Sequence, residues 1–363
     1  MINRDCADFR RSNAKQRVEQ FLNTPANRDL VDVLRVRYWY EGVKQQTRCT
    51  TAYQLERLFE PLKAPSIDAR TPFRNKWIRY EMGKHTPRAS LVDLVEGRVQ
   101  GSSKELNHPL WEILRQGDAC ASRIDSWLER LEPRVQTALY RKPHDGMTAP
   151  NWRLAFTMAI GRRLVKLGNL DALAALLLLW LEAHRYDRFE DMRQLASLLY
   201  QLLLMLGMEF DRRNMAEELF LMFRAKVFER TDWEDGRFAL DEALYVRGVH
   251  LLYCLLYKIK DVNPFSSWFA RCQAMQALLN GKKGLDAQFG LQILLVPDWR
   301  DGPPTRKQWW LWRQHNLHWL WGWKHLNRDT SGRAPDDALW DELEAKFDTL
   351  DWTKNLLPAW TAR

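Results

Sequence analysis

Residues 71–99 read TPFRNKWIRYEMGKHTPRASLVDLVEGRV and contain the strongest local signals for structure in the chain. Gly83 stands where the end of a helix favours a left-handed residue, and Pro87 suits the beginning of the next helix. The stretch therefore predicts a short helix over Pro72–Met82, a tight corner, and a second helix over Ala89–Val99.

Basic side chains are concentrated in the same stretch. Between Ala69 and Arg88 the sequence has six Lys or Arg residues and one acidic residue. Trp77 and Tyr80 lie about one helical turn apart, so we expect both rings to face a core. Arg and Asn can read guanine and adenine edges, and Lys and Arg neutralise phosphates. The remaining faces are therefore predicted to bind nucleic acid through Thr71, Arg74, Asn75, Lys76, Arg79, Lys84 and Arg88.

Residues 80–87 (YEMGKHTP) resemble the end of the recognition helix and the following turn in Cro/phage-repressor-type (XRE-like) helix-turn-helix domains. That pattern consists of an aromatic residue, Glu, any residue, Gly, two basic positions, Ser or Thr, and Pro. The resemblance covers roughly residues 51–99. It implies that Thr51–Phe59 is the first helix of the motif and that Pro72–Tyr80 lies in the major groove. Residues 60–70 form a longer connection than the three or four residues usual in this motif.

Charge divides the chain into a basic N-terminal third and a nearly neutral remainder. Residues 1–116 hold 21 Lys and Arg against 14 Asp and Glu, whereas residues 117–363 hold 34 against 32. Helical periodicity dominates throughout. The sequence therefore predicts an all-α protein, with a helix-turn-helix-like domain over 1–116 and a larger irregular helical bundle or array over 117–363. The loop VPDWRDGPP at 296–304 marks a candidate sub-boundary.

Further helix predictions concern the borders of these domains. A helix is predicted over Ala7–Leu22, and another runs from Asp29 to about Tyr40, where Gly42 would end it. Thr50 or Thr51 is the expected N-cap of the helix that ends at Phe59. In the second domain, separate helices are predicted over 188–207 and 211–229.

Two long apolar runs, Leu170–Ala183 and Leu195–Phe210, are interrupted by acidic or amide side chains. A membrane span needs about 20 uninterrupted apolar residues. Both runs therefore predict buried helices, and no contact with a membrane is expected. The five cysteines are scattered without metal-ligand spacing, and the polar first residues do not resemble a signal peptide. We expect a cytoplasmic protein without a metal or another cofactor.

The tract Trp309–Trp323 (WWLWRQHNLHWLWGW) holds six tryptophans and two histidines. A helix that is aromatic on all sides is usually central to a core or an oligomer interface. An alternative is an exposed platform on which unpaired bases stack. Arg313 and His318 also fit an Arg-x4-His spacing, and Arg79 and His85 an Arg-x5-His spacing. Both spacings resemble the ribonuclease motif of HEPN-type helical nucleases.

These patterns favour a DNA-binding protein of the helix-turn-helix type, such as a bacterial transcriptional regulator. Its domain over 117–363 would provide self-association, a protein partner or a signal input. One alternative is a helical scaffold subunit of a bacterial phage-defence or mobile-element complex, in which the basic segment binds RNA or protein. A second is a HEPN-like ribonuclease. Enzymatic activity is not expected, and no catalytic residue is predicted.

Overall fold

A computed structural model of the chain describes residues 18–19, 21, 23, 28–61, 76–141, 152–234, 236–259, 262–263, 265–297, 305–327, 341 and 345. Its contacts divide the chain into two compact units. The first unit comprises Met1–Gln116 together with Glu209–Leu219, and the second comprises Gly117–Met208 and Phe220–Arg363. The predicted helix over Ala7–Leu22 falls almost entirely outside the described residues.

Among the described residues 73% are helical and 4% lie in strands, so the predicted all-α fold class is confirmed. No helix among the described residues is long and apolar enough to cross a membrane. The α-helices are, in chain order, α1 Leu30–Thr47, α2 Ala52–Phe59, α3 Lys76–Glu81, α4 Ala89–Glu96, α5 Ser102–Leu106, α6 Pro109–Gln116, α7 Ile124–Leu128, α8 Pro133–Leu139, α9 Met158–Leu167, α10 Leu170–Arg185, α11 Phe189–Arg212, α12 Ala216–Phe223, α13 Glu242–Lys258, α14 Trp268–Leu279, α15 Leu285–Gly290 and α16 Arg306–Asn327.

Short strands and two irregular helical segments complete the described secondary structure. A 3₁₀ segment spans Gly117–Arg123, and a π-helical turn spans Arg224–Phe228. The strands form two antiparallel pairs in the second unit. The first pair is β1 Tyr140–Arg141 with β2 Trp152–Arg153, and the second is β3 Gly236–Phe238 with β4 Leu295–Pro297.

Helix α1 is longer than the sequence predicts because Gly42 does not end it. The helix continues through this glycine to Thr47. A Cβ atom at position 42 would lie 2.5 Å from Arg213 Nη1 and 2.5 Å from Glu105 Oε2. The glycine therefore provides space for an ion pair that packs against the side of α1.

The start of α2 follows the sequence prediction. Thr51 is the N-cap, and its side chain accepts a hydrogen bond from the backbone N–H of Gln54. The side chain of Gln54 in turn accepts from the backbone of Thr51, which completes a capping box. These two bonds satisfy amides that would otherwise lack partners at a helix N-terminus.

The segment Glu209–Leu219 belongs to the first unit although its neighbours in sequence belong to the second. The two helices predicted over 188–207 and 211–229 are present, but the break between them is predicted too early. Helix α11 continues to Arg212, and α12 begins at Ala216. Asn214 lies between them with a φ of +53°, a conformation that asparagine adopts more readily than most residues.

The Leu-rich helix α10 is buried in the second unit, as its sequence predicts. Its two interrupting acids have partners there. The carboxylate of Asp171 accepts a hydrogen bond from the backbone N–H of Glu132, at 3.1 Å. Glu182 pairs with Arg153 and Arg188. Burial alone would raise the pKa of Glu182, but the hydrogen bond and charge of Arg153 hold it below the ordinary value.

Candidate nucleic-acid interface

Helix α3 is fixed to the first unit by two aromatic side chains. Trp77 is fully buried and Tyr80 is 6% exposed. The Trp77 ring stacks between Trp39 and Phe59, with centroid distances of 5.9 and 5.6 Å and interplanar angles of 17° and 19°. Tyr80 meets Trp77 edge-on at 5.8 Å. The predicted aromatic anchor is therefore present, and it determines which side of α3 faces outward.

The corner after α3 is a Schellman-type cap. The backbone N–H of Gly83 donates to Tyr80 O at 2.9 Å, and that of Lys84 donates to Arg79 O at 2.7 Å. Gly83 has a φ of +64°. This pair of hydrogen bonds is the usual one when a glycine in the left-handed region ends a helix. The predicted role of Gly83 is confirmed.

Alanine at position 83 is expected to lower the free energy of unfolding of the first unit by at least about 2 kcal/mol. The left-handed conformation is unfavourable for alanine, and overpacking adds a further cost. A Cβ atom there would lie 2.7 Å from the carbonyl oxygen of Val33. Urea unfolding would measure the effect. At the control position Gly97 the nearest atom to a new Cβ is 3.6 Å away, so Gly97→Ala should not destabilise. Equal stability of the two variants would contradict this account of the corner.

The seven predicted binding residues fall into three groups in the structure: three are not described, one is paired within the unit, and three are at least partly exposed. Thr71, Arg74 and Asn75 lie outside the described residues. Lys76 is half-buried, and its Nζ lies 2.5 Å from Glu60 Oε2. Its charge is therefore already balanced within the unit. The other three, Arg79, Lys84 and Arg88, are at least partly exposed.

Arg79, Lys84, His85 and Arg88 form what we call the basic corner. Arg79 is partly exposed and the other three are exposed. Arg79 Nη1 lies 3.5 Å from His85 Nε2, so these two side chains meet across the turn. Arg88 is the N-cap residue of α4 but makes no side-chain capping hydrogen bond. The corner therefore displays three permanent positive charges on neighbouring segments.

Two nearby carboxylates are occupied by other groups of the first unit. Glu96 accepts hydrogen bonds from the backbone N–H groups of Ser103 and Gly101, each at 2.7 Å. These bonds lower the pKa of Glu96. Glu81 Oε1 lies 3.7 Å from Lys44 Nζ. The charge of Glu81 is therefore partly offset by Lys44, whereas Glu96 remains a negative charge at the end of α4.

Sequence reasoning missed two exposed apolar residues on α3. Ile78 is 41% exposed and Met82, directly after the helix, is 50% exposed. Successive helical residues are rotated by about 100°, so positions 78, 79 and 82 lie opposite a buried side defined by Trp77 and Tyr80. The aromatic pair alone would have been enough to locate them. We call Ile78, Arg79 and Met82 the outer face of α3.

The helix-turn-helix assignment stays a prediction. Helix α2 does pack beside α3, since Phe59 stacks on Trp77 and Glu60 pairs with Lys76. Residues 62–75, which connect the two helices, are outside the described part of the chain. The geometry of the motif's own turn is therefore not defined.

The tryptophan-rich helix α16 buries most of its second half in the second unit. Trp319 and Trp321 are fully buried and Trp323 is 6% exposed, whereas Trp310 is 57% exposed. His318 stacks on Phe289 with a centroid distance of 4.3 Å, and burial lowers its pKa. These contacts favour a core role for this half of the helix, as the sequence predicts.

Known proteins give no further guidance. No family model, no curated protein and no solved structure matches the chain. Among the described residues, no group of three or more His, Cys, Asp or Glu side chains is arranged to hold a metal ion.

Proposed function

We propose that the protein binds duplex DNA through the outer face of α3 and the basic corner. The observation that carries the proposal is the arrangement of this surface. The rings of Trp77 and Tyr80 fix one side of α3 to the core, and the opposite side and the following turn display Arg79, Lys84 and Arg88. A short anchored helix flanked by cations suits insertion into the major groove, because the cations can neutralise the phosphates on its edges.

The resemblance of residues 80–87 to helix-turn-helix domains supports the same proposal from the sequence. In a regulator of this kind, the second unit would supply self-association or a signal input. Two copies related by a twofold axis would then bind two half-sites. The scaffold alternative requires instead that the basic corner bind RNA or an acidic protein.

A salt series tests the proposal. Wild-type protein should bind duplex DNA with an affinity that falls steeply as salt rises, because binding releases counterions. The variant Arg79→Ala/Lys84→Ala/Arg88→Ala should bind about tenfold more weakly or worse, with a salt slope reduced by about 0.9 for each phosphate that is no longer neutralised. Fluorescence anisotropy of a labelled duplex measures both quantities.

The matched control removes three positive charges from the second unit. Arg162, Arg163 and Lys282 are exposed there, and the variant Arg162→Ala/Arg163→Ala/Lys282→Ala has the same net charge as the test variant. It should bind like wild type. Equal losses in both variants would show a general charge effect and refute the basic corner as the interface. Tighter binding to duplex RNA than to DNA would favour the scaffold alternative.

A further inference from the structure

The outer face of α3 has an unusual composition for a surface that binds a polyanion. Ile78 and Met82 lie one helical turn apart, beside the partly exposed Arg79, and expose 41% and 50% of their surfaces. Neither apolar side chain contributes to phosphate binding. Their exposure therefore calls for a contact of another kind at the centre of the proposed interface.

The charges around this face indicate which occupant it suits. Lys84, His85 and Arg88 are exposed on the turn that follows Met82. The apolar pair Ile78 and Met82 therefore lies next to positive charges. Such a surface complements a partner that has apolar groups close to negative charges. The major groove has this character at thymines, because the 5-methyl group of thymine projects into it between two lines of phosphates. The other three bases present hydrogen-bonding groups there without a methyl group.

We propose that Ile78 and Met82 contact thymine 5-methyl groups in the major groove and so give the protein a preference for thymine-containing sites. This inference rests on the proposed DNA-binding function and adds to it the chemical class of base that is read. Arg79 lies beside the two apolar side chains and is available for a guanine edge or a phosphate. The three side chains then select a site in which the thymine methyl groups lie together, to one side of the group that the arginine contacts.

Replacing thymine by uracil tests the inference, because uracil lacks only the methyl group. A duplex enriched from a random-sequence library by the full-length protein is synthesised once with thymidine and once with deoxyuridine. Wild-type protein should bind the thymine duplex more tightly, by about fourfold for each methyl group that it buries. The variant Ile78→Ser/Met82→Ser should bind both duplexes with the same Kd, close to that of wild type for the uracil duplex.

Two controls separate this effect from a change in folding. Both substituted side chains are exposed, so the double variant should keep the circular dichroism spectrum and unfolding midpoint of wild type. Leu94 is 47% exposed on α4, outside the outer face, and Leu94→Ser should keep the full preference for thymine.

The possible outcomes distinguish the thymine preference from DNA binding itself. Equal wild-type affinity for the two duplexes, or an unchanged thymine preference in the double variant, would overturn the inference and leave DNA binding itself intact. Failure of wild-type protein to bind either duplex at low salt would overturn both the inference and the proposed function.

Discussion

Replacement of Arg213 by alanine is expected to lower the free energy of unfolding of the first unit by about 3 kcal/mol, the lower end of the range for removing one partner from a buried ion pair, because the Glu105 side chain is 23% exposed. Arg213 is 5% exposed. Its Nη1 and Nη2 atoms donate to the two carboxylate oxygens of Glu105, each at 2.8 Å, and its Nε donates to Glu209 at 2.8 Å. The guanidinium also donates to the carbonyl oxygen of Tyr38 and lies 3.9 Å from the centroid of its ring.

The large effect follows from what alanine leaves behind. Burial alone would lower the pKa of Arg213, but its bonds to Glu105 and the nearby negative charges raise it above the ordinary value. The ion therefore gains more from its partners than it loses in desolvation. Without Arg213, the partly buried carboxylate of Glu105 loses two charged hydrogen bonds and the carbonyl of Tyr38 loses one of its donors. Segment 209–219 would also lose its paired hydrogen bonds to α5 and its bond to the α1 backbone.

Hydrogen exchange of peptides from residues 30–116 at increasing urea concentrations measures the effect within the first unit. Arg213→Lys keeps a positive charge but cannot form the paired hydrogen bonds, so its loss of stability should be intermediate. Arg224 forms an exposed ion pair with Glu229 at 2.8 Å in the second unit. Arg224→Ala should change stability by less than about 0.5 kcal/mol. A loss below about 1 kcal/mol for Arg213→Ala would show that desolvation cancels the network.

The same network shows why part of the fold could not be predicted from the sequence. Gly42 has the local appearance of a helix terminator. Its actual role depends on Arg213, which is distant in sequence and arrives only when Glu209–Leu219 joins the first unit. Charge counts and periodicity place that segment with its sequence neighbours, because both signals are local. The residues around Gly42 therefore contain no pattern that would predict contact with Arg213.

The corner at Gly83 was predictable because its causes are local. A glycine that can adopt the left-handed region and a proline four residues later restrict the backbone directly. Two aromatic residues one turn apart fix which side of the helix is buried. The ion pair between Lys76 and Glu60 was not predictable. The two residues are far apart in sequence and are not related by the i,i+3 or i,i+4 spacing of one helix. The outer face is also predictable from the sequence, because the positions of Trp77 and Tyr80 fix which residues lie on the opposite side of the helix.

Removal of the Trp77 side chain is expected to have an effect of similar size, about 3–5 kcal/mol, and to abolish the proposed interface as well. Trp77 is fully buried, stacks on Trp39 and Phe59, and donates from Nε1 to Glu60 at 3.3 Å. Trp77→Ala removes these interactions and leaves a cavity beside four aromatic rings. The described part of α3 is six residues long, too short to be stable as an isolated helix.

Two measurements on this variant distinguish loss of the anchor from general unfolding. Amides of α3 and of the corner up to Arg88 should lose protection from hydrogen exchange, whereas the second unit should keep its protection. Trp152 is 72% exposed in the second unit, so Trp152→Ala should be nearly neutral and serves as the control for removing an indole. If Trp77→Ala retains wild-type DNA affinity while α3 loses protection, the anchored helix is not the element that binds. If it retains both, the aromatic stack does not hold α3 in place.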